Sequence, residues 1–242
     1  MIILRAILSF AIFNVIIGAK LPSSFIRCHR NDQVCLKKAI QDAIPKFAKG
    51  FRSMGVLGVD PLMIPKMVVP SGGAVVKMTQ TYTDCELIGL SKITLDDLNF
   101  DLNARKISWV FHAPKLVFKG KYEISGQILV LPVKGNGTME IILEGVKGGS
   151  INNFEVIKKD KEYFKLTNNT LSIDADKVIY NFQNLFDGNE ELGKQINQVL
   201  NDNSRDVFNE LKDSYNRAFG SFTDNIADMF LSQVPADEIF LD

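Results

Sequence analysis

The chain has no net formal charge, with 28 basic and 28 acidic residues. It lacks the basic excess that a nucleic-acid surface requires, and no block of like charge reads as a tail. Histidine is scarce: His29 and His112 are the two present, and they support no Ser-His-Asp order. Cysteines number three. A zinc site built on Cys28, Cys35 and His29 would need a fourth ligand, and none stands at a usual spacing. "GFRSMG" around Ser53 does not keep the G-x-S-x-G spacing of a nucleophile elbow. "KGNGTME" lacks the third glycine of a dinucleotide loop and reads as a hairpin turn. Asp96, Asp97, Asp174 and Asp176 read as solvated strand-edge carboxylates rather than calcium ligands. Glu190 and Glu191 read as favourable charge at a helix start. Neither an enzyme nor a cofactor is expected from this inventory. Beyond the first twenty residues, no stretch approaches the roughly 20 apolar residues of a membrane-spanning helix.

What is abundant is phenylalanine, at 17 residues against 5 Tyr and 1 Trp. Phe supplies apolar area without a polar handle, which suits a dry interior or an apolar cavity. The opening "MIILRAILSFAIFNVIIGAK" has an early Arg, an apolar run from Ala6 to Ile17, and small residues at Gly18 and Ala19. That layout is a secretory signal peptide over residues 1–19, leaving 20–242 as a single secreted domain in an extracellular fluid. In such a compartment Cys28 and Cys35, seven apart, are expected to form a small disulfide loop, with Cys85 a buried free thiol. Asn136-Gly-Thr138 and Asn168-Asn-Thr170 are glycosylation sequons in turn-like sequence.

The apolar period changes twice. Val34, Ala39, Ile40, Ala43, Ile44, Phe47 and Phe51 fit a helical face, with Asn31 or Asp32 as cap and Pro45 as a kink or interruption. An extended Gly- and Pro-marked connector follows over 55–73. From Ala74 to about Ile179 the period is two, which predicts an antiparallel meander. The register slips at Asp96-Asp97, as at a bulge. "NARK" reads as a turn, "EGVKGGSINN" as a loop, and "EVIKKDKEYFKL" and "TLSIDADKVIYNF" as further strands. From 190 to 232 apolar residues return three or four apart, with Asn203 in the one gap. A single helix there would be about 64 Å long. The fold class is therefore α+β: a strongly curved antiparallel sheet around a long C-terminal helix. Phe182, Phe186, Phe208, Phe219, Phe222 and Phe230 are expected to pack against the strands. Where side chains do not fill the wrap, an apolar tunnel remains.

Three stretches carry a family likeness. They are the pair Cys28 and Cys35, the string P-x-L-x-F-x-G-x-Y-x-I-x-G from Pro114 to Gly126, and the "VPADEIF" ending at 234–240. With them the whole mature chain resembles the takeout and juvenile-hormone-binding protein family of insects. The resemblance implies a secreted carrier with an internal apolar tunnel for a terpenoid such as juvenile hormone, or for a long-chain lipid. Hormone-binding members carry a second disulfide; this sequence offers one, which places it on the takeout side. Some members are linked to circadian output. On this reading Trp109, Phe111, Phe118, Phe164 and Phe208 line the tunnel, and Tyr122, Tyr180, Tyr215 and Thr81 are candidates to hold a polar head group. The partner is then a small hydrophobic ligand bound by a monomer, with no nucleic acid. The competing reading is a secreted, non-enzymatic signalling protein with a filled core that acts through a surface receptor.

Overall fold

A computed structural model describes residues 19–241, so the expected signal segment lies, apart from Ala19, outside the described residues. In chain order the elements are β1 (Cys28–His29), α1 (Gln33–Lys49), β2 (Leu62–Gly72), β3 (Val76–Ile88), β4 (Thr94–Asp101), β5 (Lys106–Ile128), β6 (Leu131–Lys158), β7 (Glu162–Phe182), α2 (Glu190–Asp202), α3 (Ser204–Leu231), α4 (Ala236–Ile239) and β8 (Phe240–Leu241). The large sheet is antiparallel in the order β2-β3-β5-β6-β7, with β4 paired to the first half of β5. It does not close on itself.

The strands are longer than the sequence pattern suggests. β6 has 28 residues, which would extend about 90 Å if straight at roughly 3.3 Å per residue. Such strands must curl, and bulges make them curl. The ladder shifts between Thr83 and Glu86, between Leu95 and Asp97, and between Asn153 and Phe154. The slip read at Asp96-Asp97 is the second of these.

"EGVKGGSINN" is not a loop but the middle of β6. Its glycines make room for neighbours. A Cβ on Gly148 would sit 2.4 Å from the Phe111 ring of the paired strand, and Gly145 adopts φ +61° against Asp176. "KGNGTME" likewise lies within β6, and the hairpin turns earlier, at Leu129-Val130. "EVIKKDKEYFKL" is not one strand. It reverses at Lys159-Asp160-Lys161, where a charged run offers no side chain to the core.

The predicted single long helix is two. Asn203 leaves helical geometry at φ −112° and ψ 22°, and its side-chain amide donates to Val199 O at 2.8 Å. The polar residue in the apolar gap therefore ends α2. Leu192 and Met229, placed on the apolar stripe by spacing, are each 41% exposed. In α1, Val34 points to solvent and Leu36 is buried. Asp32 Oδ1 caps the helix by accepting from Cys35 N at 2.9 Å. Pro45 does not interrupt α1; it sits on the exposed side, where water can meet the carbonyl it leaves without a donor.

α3 packs against both β7 and β2, bridging the open sides of the sheet. Glu210 on α3 accepts from the amides of Val75 and Val76 at 2.9 and 2.7 Å. On the other side Asp228 accepts from Leu166 N at 2.7 Å. α2 acts as a surrogate strand for the edge of β7. Asn201 accepts from Tyr180 N at 2.9 Å and donates to Tyr180 O at 2.8 Å, and Asn197 makes the same pair with Phe182 at 2.8 and 2.8 Å.

Among the described residues most buried apolar side chains gather in three clusters. The largest lies between the sheet, α2 and α3 and includes Phe182 and Phe208, with Phe186, Phe219 and Phe222 against it. The second gathers Cys28, Leu36, Leu98, Phe154, Phe164 and Phe240 where the two ends of the chain meet. There the Cys28–Cys35 disulfide is formed, β1 pairs with β8, and Arg27 donates to Asp237 O and Phe240 O, each at 2.6 Å. In the third, Phe230 packs on Phe25, Phe47 and Phe51 rather than on strand residues.

Candidate functional site

From Leu116 onward the P-x-L-x-F-x-G-x-Y-x-I-x-G string is the inward parity of β5, while its Pro114 is exposed. Leu116, Phe118, Tyr122 and Ile124 are all buried. Its two glycines mark close approach of β3: a Cβ on Gly120 would lie 2.4 Å from Cys85 Sγ and 2.7 Å from Cys85 Cα, and one on Gly126 would lie 2.7 Å from Met78 Cα. Large aromatic rings and bare backbone thus alternate along one strand. The rings face α3. Phe118 meets Phe219 edge-on at 5.4 Å and Tyr82 at 5.2 Å, and Tyr215 stacks on Phe219 at 6.0 Å.

Within this apolar interior lies a compact polar group. Tyr82 Oη donates to Gln80 Oε1 at 2.5 Å, Tyr215 Oη donates to the same oxygen at 3.1 Å, and the two hydroxyls are 2.6 Å apart. Gln80 and Tyr82 come from β3 and Tyr215 from α3. Tyr180, from β7, is 3% exposed. Burial raises the Tyr82, Tyr215 and Tyr180 hydroxyls above the ordinary tyrosine range, and Tyr180 would repel either neighbour if both were ionised. All three therefore stay protonated at neutral pH. Gln80 Nε2 and Tyr180 Oη have no hydrogen-bond partner among the described residues.

The expected site residues divide by place. Phe118, Tyr122, Tyr180, Phe208 and Tyr215 share the large cluster. Trp109 and Phe164 belong to the cluster near the chain ends. Phe111 is buried and touches Trp109 edge-on at 6.5 Å. Tyr122 is a satisfied core tyrosine: its hydroxyl donates to Gln183 O at 2.6 Å, and burial pushes its pKa to about 12. Thr81 is on the wrong pleat, since β3 turns Gln80 and Tyr82 inward and Thr81 away. Sequence reasoning missed Gln80 and Tyr82. The signal was strand parity: Val76, Met78, Gln80 and Tyr82 alternate with Lys77, Thr79, Thr81 and Thr83, which leaves a Gln in an apolar register.

A second polar layer crosses the interior farther along α3. Asp224 Oδ1 accepts from Asn152 Nδ2 at 3.0 Å and from Asn169 Nδ2 at 2.6 Å, while Ser150 Oγ donates to Asn152 Oδ1 at 2.8 Å. Burial raises the Asp224 carboxyl above its ordinary value, Asp228 adds to this, and the asparagine bonds oppose it. An open surface concavity of about 380 Å³ is lined by Asp84, Glu86, Lys119, Glu140 and Asn181; its charged rim is poorly suited to an apolar molecule. Asp174 pairs with Arg205, Asp176 with Lys147 and Asp96 with His112, and no metal-holding cluster occurs among the described residues. Asn136 and Asn168 are exposed but lie on strands β6 and β7, not in loops.

A Drosophila melanogaster relative, "Circadian clock-controlled protein daywake", is 25% identical over 228 residues, covering 90% of this chain and 88% of that protein. A Schistocerca gregaria protein named "Putative beta-carotene-binding protein" is 24% identical over 219 residues, covering 86% and 83%. The crystal structure of Epiphyas postvittana Takeout 1 superposes with a TM-score of 0.82 at 27% identity, covering 90% of this chain and all of that one. The sequence profile of the family described as "Haemolymph juvenile hormone binding protein (JHBP)" matches residues 6–241, and the chain belongs to that family.

Proposed function

We propose that residues 20–242 form a single extracellular carrier domain that encloses one small hydrophobic ligand, a terpenoid or a long-chain lipid, in a tunnel between the curved sheet and α3. The observation that carries this reading is the aromatic interior that Phe118, Tyr122, Tyr180, Phe208 and Tyr215 build inside a sheet with open edges. Such a wrap is held across its gap by helix side chains, so it can loosen without breaking the ladder of a closed barrel. The names of the Schistocerca relative and of the family support an apolar ligand. Trp109, Phe111 and Phe164 extend the lining toward the chain ends. Among the described residues no helix is long and apolar enough to cross a membrane. The same proposal includes export through a cleaved signal over 1–19, with the exposed Asn136 and Asn168 as sites for glycans. The protein acts by binding and not by catalysis.

Desolvation drives the binding. A ligand that buries ~400 Å² of apolar surface gains on the order of 10 kcal/mol before ordering costs, enough for micromolar or tighter affinity. The test is uptake of diphenylhexatriene, a hydrocarbon that fluoresces when it leaves water. Saturable uptake by the secreted protein, reversed by a long-chain ester or a terpenoid, supports the carrier. No uptake favours the alternative, a filled-core signalling protein read by a surface receptor.

A further inference from the structure

We infer that Gln80 and Tyr180 form a donor site for the head of the ligand, and that it selects a neutral molecule carrying an acceptor oxygen, such as an ester, ketone or ether, over a carboxylate. The inference rests on the carrier reading and adds the chemistry of the head group.

The argument begins with which atoms are already committed. Gln80 Oε1 accepts from both Tyr82 and Tyr215. The amide oxygen lies toward the two hydroxyls, and Nε2 is turned away from them. Two N–H donors on Gln80 are then left over. They have no partner among the described residues, although Gln80 is 2% exposed. Tyr180 adds a further O–H with no partner at 3% exposure. Buried polar groups are nearly always paired, because an unpaired one loses its bonds to water and gains nothing in return. The unused capacity here is mostly donor capacity, so the complementary group is an acceptor oxygen.

Charge narrows the class. The buried polar side chains among the described residues are Gln80, Ser150, Asn152 and Asn216, all neutral, and no Lys, Arg or His is among them. A carboxylate drawn into this interior would lose its hydration with no cation to offset the loss. An ester or ketone oxygen carries no such cost and accepts the bonds on offer. The tyrosine hydroxyls remain protonated donors across the physiological range, because burial raises all of them. The surrounding rings of Phe118, Phe219 and Tyr122 give the chain behind the head group its apolar contact.

The experiment uses the full secreted chain loaded with diphenylhexatriene and displaced by methyl hexadecanoate or by hexadecanoate at pH 8. The ester is expected to displace the probe at about tenfold lower concentration or better, one added hydrogen bond being worth a factor of roughly three to ten. In Gln80→Leu and in Tyr180→Phe the preference for ester over carboxylate is expected to narrow by about three- to tenfold each. Tyr180→Phe removes an unpaired hydroxyl and is expected to fold at least as stably as the parent, so it keeps the test available where Gln80→Leu fails to fold. A carbonyl-labelled ester gives a direct reading: its stretching frequency on the protein should fall below that in hexane and recover in the variants. Equal displacement by ester and carboxylate, an unshifted carbonyl, or variants that behave as the parent would overturn the head-group inference while uptake of the probe leaves the carrier reading standing; in that case ordered water satisfies the two donors. No uptake of diphenylhexatriene by the parent would overturn both.

Discussion

Asn201→Leu tests how the sheet is held to its helix. Asn201 on α2 makes two bonds to the main chain of one residue on the β7 edge, accepting from Tyr180 N at 2.9 Å and donating to Tyr180 O at 2.8 Å. Leucine has a similar volume and can do neither. Both main-chain groups are partly buried and lose their partner together. Each unpaired group costs about 1–3 kcal/mol, and partial access to water relieves some of that, so the net loss is about 2–4 kcal/mol. For a chain of this size each kcal/mol moves the melting temperature by about 2–4 °C, which predicts a fall of roughly 5–15 °C. Asn201→Asp keeps the acceptor but sets a carboxylate against the Tyr180 carbonyl, so it too should melt lower. Differential scanning calorimetry of the secreted protein reads both. A shift below about 2 °C for Asn201→Leu would show that α2 does not supply the missing strand edge, and the account of how Tyr180 is positioned would fail with it.

Other outcomes follow from the same geometry. Gly120→Ala places a methyl 2.4 Å from Cys85 Sγ and 2.7 Å from its Cα; since backbone must move, urea unfolding should show a loss of about 1–3 kcal/mol. Cys85 is fully buried and its pKa is raised to about 11 by that burial, so one thiol should react with a thiol reagent at pH 8 only after denaturation; rapid labelling of the native chain would contradict the packing. At Asp60 burial works to raise the pKa, but bonds from Ser91 Oγ and the amides of Gly89 and Ser91 outweigh it and hold the carboxyl below its ordinary 3.8. The stability it contributes is therefore present above pH 3.8 and lost as pH falls through the lower folded value. The stability gap between the parent and Asp60→Asn should be widest near neutral pH and close in acid; a gap independent of pH would contradict this assignment.

The broad architecture was legible because hydrophobic period is a local signal. The alternation from β3 to β7, the bulge at Asp96-Asp97 and the apolar stripe of α2 and α3 all belong to single segments of chain. What misled was composition. The glycines of "EGVKGG" resemble a loop until the Phe111 ring on the paired strand is known to need the space at Gly148. The charged Lys159-Asp160-Lys161 run reads as strand because its flanks alternate well, yet it is the tip of the β6–β7 hairpin. Asn203 was recognised as a polar residue in an apolar gap, but its capping bond to Val199 exists only in three dimensions. The site was half legible. Tyr180 and Tyr215 stand out as polar residues in apolar patterns, whereas the expected Thr81 lies one position away from the inward pair Gln80 and Tyr82. A one-residue shift exchanges the two faces of a strand, and the bulge at Thr83–Glu86 obscures the parity just beyond.

The central claim is that the space between sheet and α3 holds an apolar molecule, and native mass spectrometry of the secreted chain, incubated with a mixture of long-chain esters and terpenoids, tests it most directly. The account predicts one added mass per chain, released intact by organic extraction and identified as a neutral lipid or terpenoid. A spectrum showing the bare chain alone would contradict it.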